Sequence, residues 1–311
     1  MTHEFEEFHQ ELRSVAGDLL AKDRAVEWPV LAEAGWVGLE VPDEFGGAGA
    51  TFAEVAVICE EMGRAASANS YLGSAVLAVG TLKALQPSDT RDMLLSAVAS
   101  GSIRTAVVLG SYEFVPDADG ADRLLVVTTD SEGAPVVDET RRLATVSADG
   151  IEAAEVLRFA GDPEEQVRRL HDRAAVAIAC DSLGLSEAML AATVSYAKVR
   201  HQFGRPIGSF QAVKHACADM QVAIAVSRQL VSSAVEAVAE DRQDASTATA
   251  MAKSYTCSAA VEVAGKSMQL HGGIGYTWES GIHVYLKRAI LNRSLFGSPA
   301  AHRKRLAERY L

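Results

Sequence analysis

The chain has 311 residues, 49% hydrophobic and 23% charged, with 41 acidic against 29 basic side chains and a formal net charge of -12. That length and composition suit two or three units with sizeable cores, and exclude both a single small module and wholesale disorder. The acidic balance argues against a grip on phosphate backbones, which needs clustered Lys and Arg, so no nucleic-acid partner is expected.

The opening residues, MTHEFEEFHQ, are acidic and lack the charged-then-apolar layout of a signal peptide. No uninterrupted apolar run approaches the ~18 to 20 residues of a membrane span, so the expectation is a cytoplasmic protein with no membrane partner. From Glu4 to about Ala99 the pattern predicts helices, interrupted at Val41-Pro42 and at Gly46-Gly47-Ala48-Gly49. Leu12, Val15, Leu19 and Leu20 form one apolar stripe at helical spacing, and Phe52, Val55, Cys59 and Met62 form another; both are expected to be buried.

Near Gly101 the period changes. Arg104 to Leu109 and Leu124 to Thr129 predict buried strands, continued by Val136-Val137 and Leu143 to Val146, and the small β segment ends near Val156 to Phe159. Beyond Gly161-Asp162-Pro163 the helices are long, with Phe210, Val213, Cys217, Met220, Ile224, Val231 and Val235 on one face. A helix over Asp244 to Leu270 follows, then a Gly-rich break at His271 to Gly275 and a helix ending near Arg293. The expected fold is mainly α with a small β middle domain, divided into a helical domain (1–100), a shortened β domain (101–160) and a C-terminal four-helix bundle (161–311).

Cys59, Cys180, Cys217 and Cys257 lie far apart in apolar helical patterns, with no ligand spacing for a metal, and read as buried thiols of a reducing compartment. The run His302-Arg303-Lys304-Arg305 reads as a solvated helix face. Two stretches carry more chemistry. In Tyr196 to Ile207, an Arg at a helix end, a Gly-containing turn and the following Gln211 have the charge and amides to hold an anion, although an ordinary helix–turn–helix corner accounts for the pattern as well. In Gln269 to Tyr276, Gly272-Gly273 let a backbone approach a ligand that any Cβ would exclude, or simply cap a helix.

Together, RHQFGRPIGSFQ and QLHGGIGYTWE resemble the two stretches by which acyl-CoA dehydrogenases hold FAD across a subunit interface. Gly35 to Gly47 and Glu60-Glu61-Met62-Gly63-Arg64 are similar to the entry domain of that family. The resemblance implies that Arg200 pairs with the pyrophosphate, that Gln202, Phe203 and Gln211 line the cofactor, and that Gln269, Gly272 and Gly273 contact its adenosine side. It also implies an acyl-CoA substrate and an electron-transfer flavoprotein or similar acceptor.

The family's catalytic Glu stands before a Gly, and here that place holds Phe296; in branches with the base on the first bundle helix, the matching position is Ala174. Neither side chain accepts a proton. Asp172 lies two residues from Ala174, a shift that turns a helical side chain by ~200°, so it is a poor substitute, and Glu113 and Glu279 are carboxylates by type only, with surface solvation the plainer reading. The family's flavin-holding Thr-Glu-Pro-type loop is missing after Thr105 to Gly110. With no catalytic residue, the resemblance implies a shortened subunit of an α2β2 steroid-CoA dehydrogenase, completed by a homologous partner. The alternatives are a self-sufficient enzyme with an atypical base and a scaffold without cofactor.

Overall fold

The structure is a computed structural model and describes residues 2–109, 113–127, 143–144 and 156–308; the expected strand at Val136-Val137 and the ends at Thr128-Thr129 and Val146 lie outside these residues. The N-terminal part comprises α1 (Thr2–Leu20), α2 (Trp28–Glu33) and α3 (Phe52–Ala65), then a π-helical turn (Leu72–Ala78) running into α4 (Val79–Ala84), and α5 (Asp89–Ala99). Thr51 starts α3 with a capping box: its hydroxyl accepts from the Ala53 N–H while the Glu54 carboxylate accepts from the Thr51 N–H at 2.8 Å.

The strands are β1 (Thr105–Leu109), β2 (Val115–Pro116), β3 (Arg123–Val127) and β4 (Leu143–Ala144). β1 and β3 pair in parallel, Thr105 opposite Arg123, and β2 pairs antiparallel with β4. Four helices follow: α6 (Pro163–Val199), α7 (Gln211–Ala239), α8 (Ala245–His271) and α9 (Ile282–Ser294). A hairpin of β5 (His201–Gln202) and β6 (Arg205–Pro206) joins α6 to α7, and α10 (Pro299–Glu308) closes the described chain. The short connections turn the chain back at each end and make an antiparallel bundle.

α3 crosses α6 with backbones almost touching. A Cβ on Gly63 would sit 1.9 Å from the Asp181 carbonyl oxygen, and one on Gly184 would sit 1.9 Å from that of Glu60. Inside the bundle, Arg288 grips Asp181 through Nε and Nη2 (3.0 and 2.6 Å) and donates to the Ser67 carbonyl, while the Asn292 amide donates to Asp181 at 2.6 Å. A second buried pair, Arg173 with Glu40, ties α6 to the loop after α2, and Arg173 Nε also donates to the Val76 carbonyl at 2.7 Å. Burial alone would raise the Glu40 pKa, but the charges of Arg173 and Lys83 beside it bring it below the usual value.

Several expectations need correction. Val15 is 51% exposed: α1 packs on α3 through Leu12, Ala16 and Leu20, and Val15 falls on the flank of that stripe. Phe210 precedes α7 and caps it instead of lying on its face. Cys217 is only half-buried, whereas the other three thiols are buried. In the basic run, Arg303 and Lys304 are exposed, but His302 is buried and Arg305 reaches Asp172. α6 and α7 are each long and apolar enough, by length and composition, to cross a membrane; scattered polar residues hid this from a search for unbroken runs.

Candidate functional site

The ends of α6 and α8 meet at one end of the bundle. The Tyr196 ring stacks on His271, centroids 4.4 Å apart and 21° from parallel, joining the two stretches singled out in the sequence. Beyond Tyr196 the β5–β6 hairpin turns on Phe203 (φ 53°) and Gly204 (φ 78°). Two consecutive left-handed residues match the twist of a two-residue hairpin, and Asn-Gly is its usual sequence. A phenylalanine there is strained, and its ring is 91% exposed. Arg205 lies over the Phe210 ring at 4.2 Å, and Phe210 meets Phe203 edge to face.

Arg200 caps α6, and Gln202, Gln211 and Gln269 are all exposed; Gln269 accepts a hydrogen bond from Lys266 at 3.2 Å. Gly272 and Gly273 have open space where a side chain would project. The predicted site residues therefore share one end of the bundle and face outward. Val199, Ile274, Tyr276 and Trp278 are exposed on the same two stretches, so this end is unusually apolar.

The two positions at which the family carries its base also converge. Ala174 is fully buried in a cluster with Leu77, Ala78 and Val107, and Phe296 packs against that cluster. Phe296 has φ 52°, and its carbonyl accepts a hydrogen bond from His302 Nε2 at 2.9 Å. Lys253, with no exposed surface, donates to the carbonyls of Asn292 (2.9 Å) and Gly297 (3.0 Å), and so caps α9 and fixes the Phe296 turn. Burial pushes the Lys253 pKa down. Asp172 does not enter this cluster; its Oδ1 accepts from Arg305 at 2.7 Å. Glu279 is exposed and Glu113 half-buried.

Residues 166–311 match the family model described as acyl-CoA dehydrogenase, C-terminal domain, and residues 3–102 match the acyl-CoA dehydrogenase N-terminal domain. The acyl-CoA dehydrogenase IpdE2 of Mycobacterium tuberculosis is 36% identical over 300 residues, covering 92% of this chain and 88% of its own. The chain belongs to the acyl-CoA dehydrogenase family. Its fold matches a chain of the Tcur3481-Tcur3483 steroid ACAD with TM-score 0.81 and 26% identity, covering 97% of both. A chain of the ChsE4-ChsE5 complex from Mycobacterium tuberculosis matches with TM-score 0.80 and 22% identity, covering 97% of this chain and 96% of that one.

Members of the family bind FAD, and the outward face fits it. On stretches joined by the Tyr196–His271 stack, an exposed guanidinium and a glycine pair that leaves its backbone open are each suited to a diphosphate, and exposed amides and a projecting ring suit a nucleotide. Motif reasoning overlooked the Tyr196–His271 stack and Lys253. A signal for Lys253 did exist: it is a lone cation in the Ala-rich run of a helix buried on nearly every side, so it has to find carbonyls inside.

Proposed function

We propose that this chain is the half-site subunit of an FAD-dependent acyl-CoA dehydrogenase, joined in an α2β2 assembly to a homologous partner that supplies the catalytic Glu. The supporting observation is the contrast between the two places: the cofactor face keeps Arg200, Gln211 and Gln269 exposed, while the base positions Phe296 and Ala174 hold hydrocarbon around one apolar cluster. Arg200 pairs with the pyrophosphate, Gln202, Phe203 and Gln211 line the cofactor, and Gln269 with the Gly272-Gly273 backbone meets the adenosine side. FAD, when bound, accepts the hydride from the β carbon of the thioester. The likeness to a steroid acyl-CoA dehydrogenase supports a steroid-derived CoA thioester as substrate. The same reading takes an electron-transfer flavoprotein or similar protein as acceptor and the cytoplasm as location.

The exposed aromatic and apolar side chains beside the cofactor residues fit a buried subunit contact, where such groups act as anchors. A self-sufficient enzyme gains no support from Asp172, whose carboxylate is engaged by Arg305. The test is co-expression with a family homologue that carries the catalytic Glu, measuring flavin per complex and dehydrogenation. Arg200→Ala is expected to lower flavin retention about tenfold or more, as loss of a charge-assisted contact to a diphosphate does; Phe296→Ala keeps turnover. Full activity from the chain alone, or unchanged flavin retention in the Arg200 variant, overturns the assignment, and a colourless but assembled complex points to a scaffold.

A further inference from the structure

The residues assigned to the cofactor sit on two segments, each fixed to its own helices. The β5–β6 hairpin and the turn after it rest on α6 and α7, and the Gly272 turn rests on α8 and α9. Arg200 is pinned on both sides: its N–H donates to the Tyr196 carbonyl at 2.9 Å, and its carbonyl accepts from the Ile207 N–H at 2.8 Å. The glycine turn folds back on the last turn of α8, where a Cβ on Gly275 would lie 2.9 Å from the Met268 carbonyl oxygen and 3.1 Å from the His271 Cβ. Arg200 therefore moves with Tyr196, and the glycine turn moves with His271.

These two side chains meet each other. Their rings stack with centroids 4.4 Å apart, and the Tyr196 hydroxyl donates to the His271 carbonyl at 3.4 Å. That carbonyl ends α8, where the helix itself provides no donor. The imidazole is oriented from the other side: Nδ1 donates to the Ser267 carbonyl at 2.8 Å, because a carbonyl can only accept. One turn deeper, the Ser267 and Thr193 hydroxyls meet at 2.6 Å and join the same two helices. His271 is buried, so its ring cannot swing away without losing both the stack and the bond to Ser267.

We propose that Tyr196 and His271 are positioning residues for FAD: their stack sets the separation between Arg200, on the pyrophosphate, and the Gly272-Gly273 backbone, on the adenosine side. This role presupposes the assignment of those residues to FAD. Neither ring touches the cofactor; each acts through the backbone that follows it, four residues on for Tyr196 and one for His271. Bonds from a guanidinium to a phosphate are short, about 2.7–2.9 Å, so one ligand can satisfy both segments only if their separation is held closely. A leucine at either position would fill space without fixing a ring plane against its partner, whereas a phenylalanine would keep the two rings in contact.

The separation is measured first, on the full chain without flavin. In a Cys217→Ser background, spin labels at His201→Cys on the hairpin and Glu279→Cys beyond the glycine turn, both exposed positions, report it by electron–electron dipolar spectroscopy. Tyr196→Leu and His271→Leu are expected to broaden the distance distribution, and Tyr196→Phe and His271→Phe to leave it narrow. Flavin retention is then measured in complex with a flavin-bearing homologue, without labels. It is expected to fall about fivefold to tenfold in each Leu variant, no further in the double Leu variant, and less than about twofold in each Phe variant. Leu95→Ala, in the separate α5 cluster, lowers stability but keeps wild-type flavin retention, so a general loss of stability does not produce the pattern. Circular dichroism confirms that each variant is folded. An unchanged distance distribution in the Leu variants, or flavin loss as large in the Phe variants or in Leu95→Ala, overturns the proposal. A broadened distribution with full flavin retention overturns it as well, and Arg200→Ala then shows how far the failure reaches. If that variant loses flavin, the cofactor assignment stands without the positioning role; if it does not, the assignment fails too.

Discussion

At the scale of single residues, the turn that carries Phe296 is held by groups buried in particular protonation states. The Phe296 carbonyl can only accept, so His302 Nε2 carries the proton, and Nδ1 is buried with no hydrogen-bond partner among the described residues. Burial pushes the His302 pKa down, helped by Arg305 and Lys253 and opposed by the Phe296 carbonyl and Asp172. A histidine whose pKa is lower in the folded chain binds protons more readily when unfolded. Its contribution is therefore complete above the ordinary value of about 6.5 and is lost as pH falls below it. His302→Gln can keep a donor to the carbonyl without titrating. Thermal unfolding from pH 7.5 to pH 5 is expected to show the wild type losing stability more steeply than this variant, so that the gap between them narrows with acid. Parallel curves would mean that His302 does not titrate in this range.

At the scale of elements, the closest contact is the crossing of α3 and α6. Gly63→Ala and Gly184→Ala each place a methyl group 1.9 Å from a carbonyl oxygen of the other helix. Neither backbone can yield without moving a whole helix, so each substitution is expected to cost about 3 kcal/mol or more. Gly265→Ala is the control: it lies in α8 with nothing within 4 Å of the added Cβ, and is expected to be neutral or to stabilise by about 0.5–1 kcal/mol. Denaturant midpoints decide between these outcomes. The long helices were legible because Phe52 to Met62 and Val213 to Val235 repeat at helical spacing, and the bundle followed from the length of those helices. The crossing was not, because a glycine inside a helix says only that a side chain is absent, and what fills the space comes from a distant segment. The proposed cofactor face was legible as motifs but not as a surface. Spacing brings Arg200 near a helix end and Gly272 near another, yet only antiparallel packing puts those ends together, with Tyr196 on His271. The parallel pairing of β1 with β3 was equally hidden, since apolar runs specify strands without specifying partners.

At the scale of the molecule, α9 links the Gly272 turn to the Phe296 turn. It begins just after the Gly272 turn and ends at the Phe296 turn, and Arg288 in its middle is 2% exposed. That side chain bonds Asp181 on α6 and the Ser67 carbonyl after α3, so it fixes α9 against both the bundle and the N-terminal part. Removing one member of such a buried pair leaves the other charged and dry. Arg288→Met is therefore expected to cost about 3–5 kcal/mol, and Asp181→Asn a comparable amount because it strands the guanidinium. Replacing both with apolar side chains removes the stranded charge, and the double variant Asp181→Leu, Arg288→Met is expected to recover a large part of that loss. Hydrogen exchange then separates a local role from a global one. If α9 couples the two ends, amides of both the Gly272 turn and the Phe296 turn exchange faster in Arg288→Met, while those of α5, which lies outside this network, keep their wild-type rates relative to global unfolding. Faster exchange at only one end would show that the two regions are held independently.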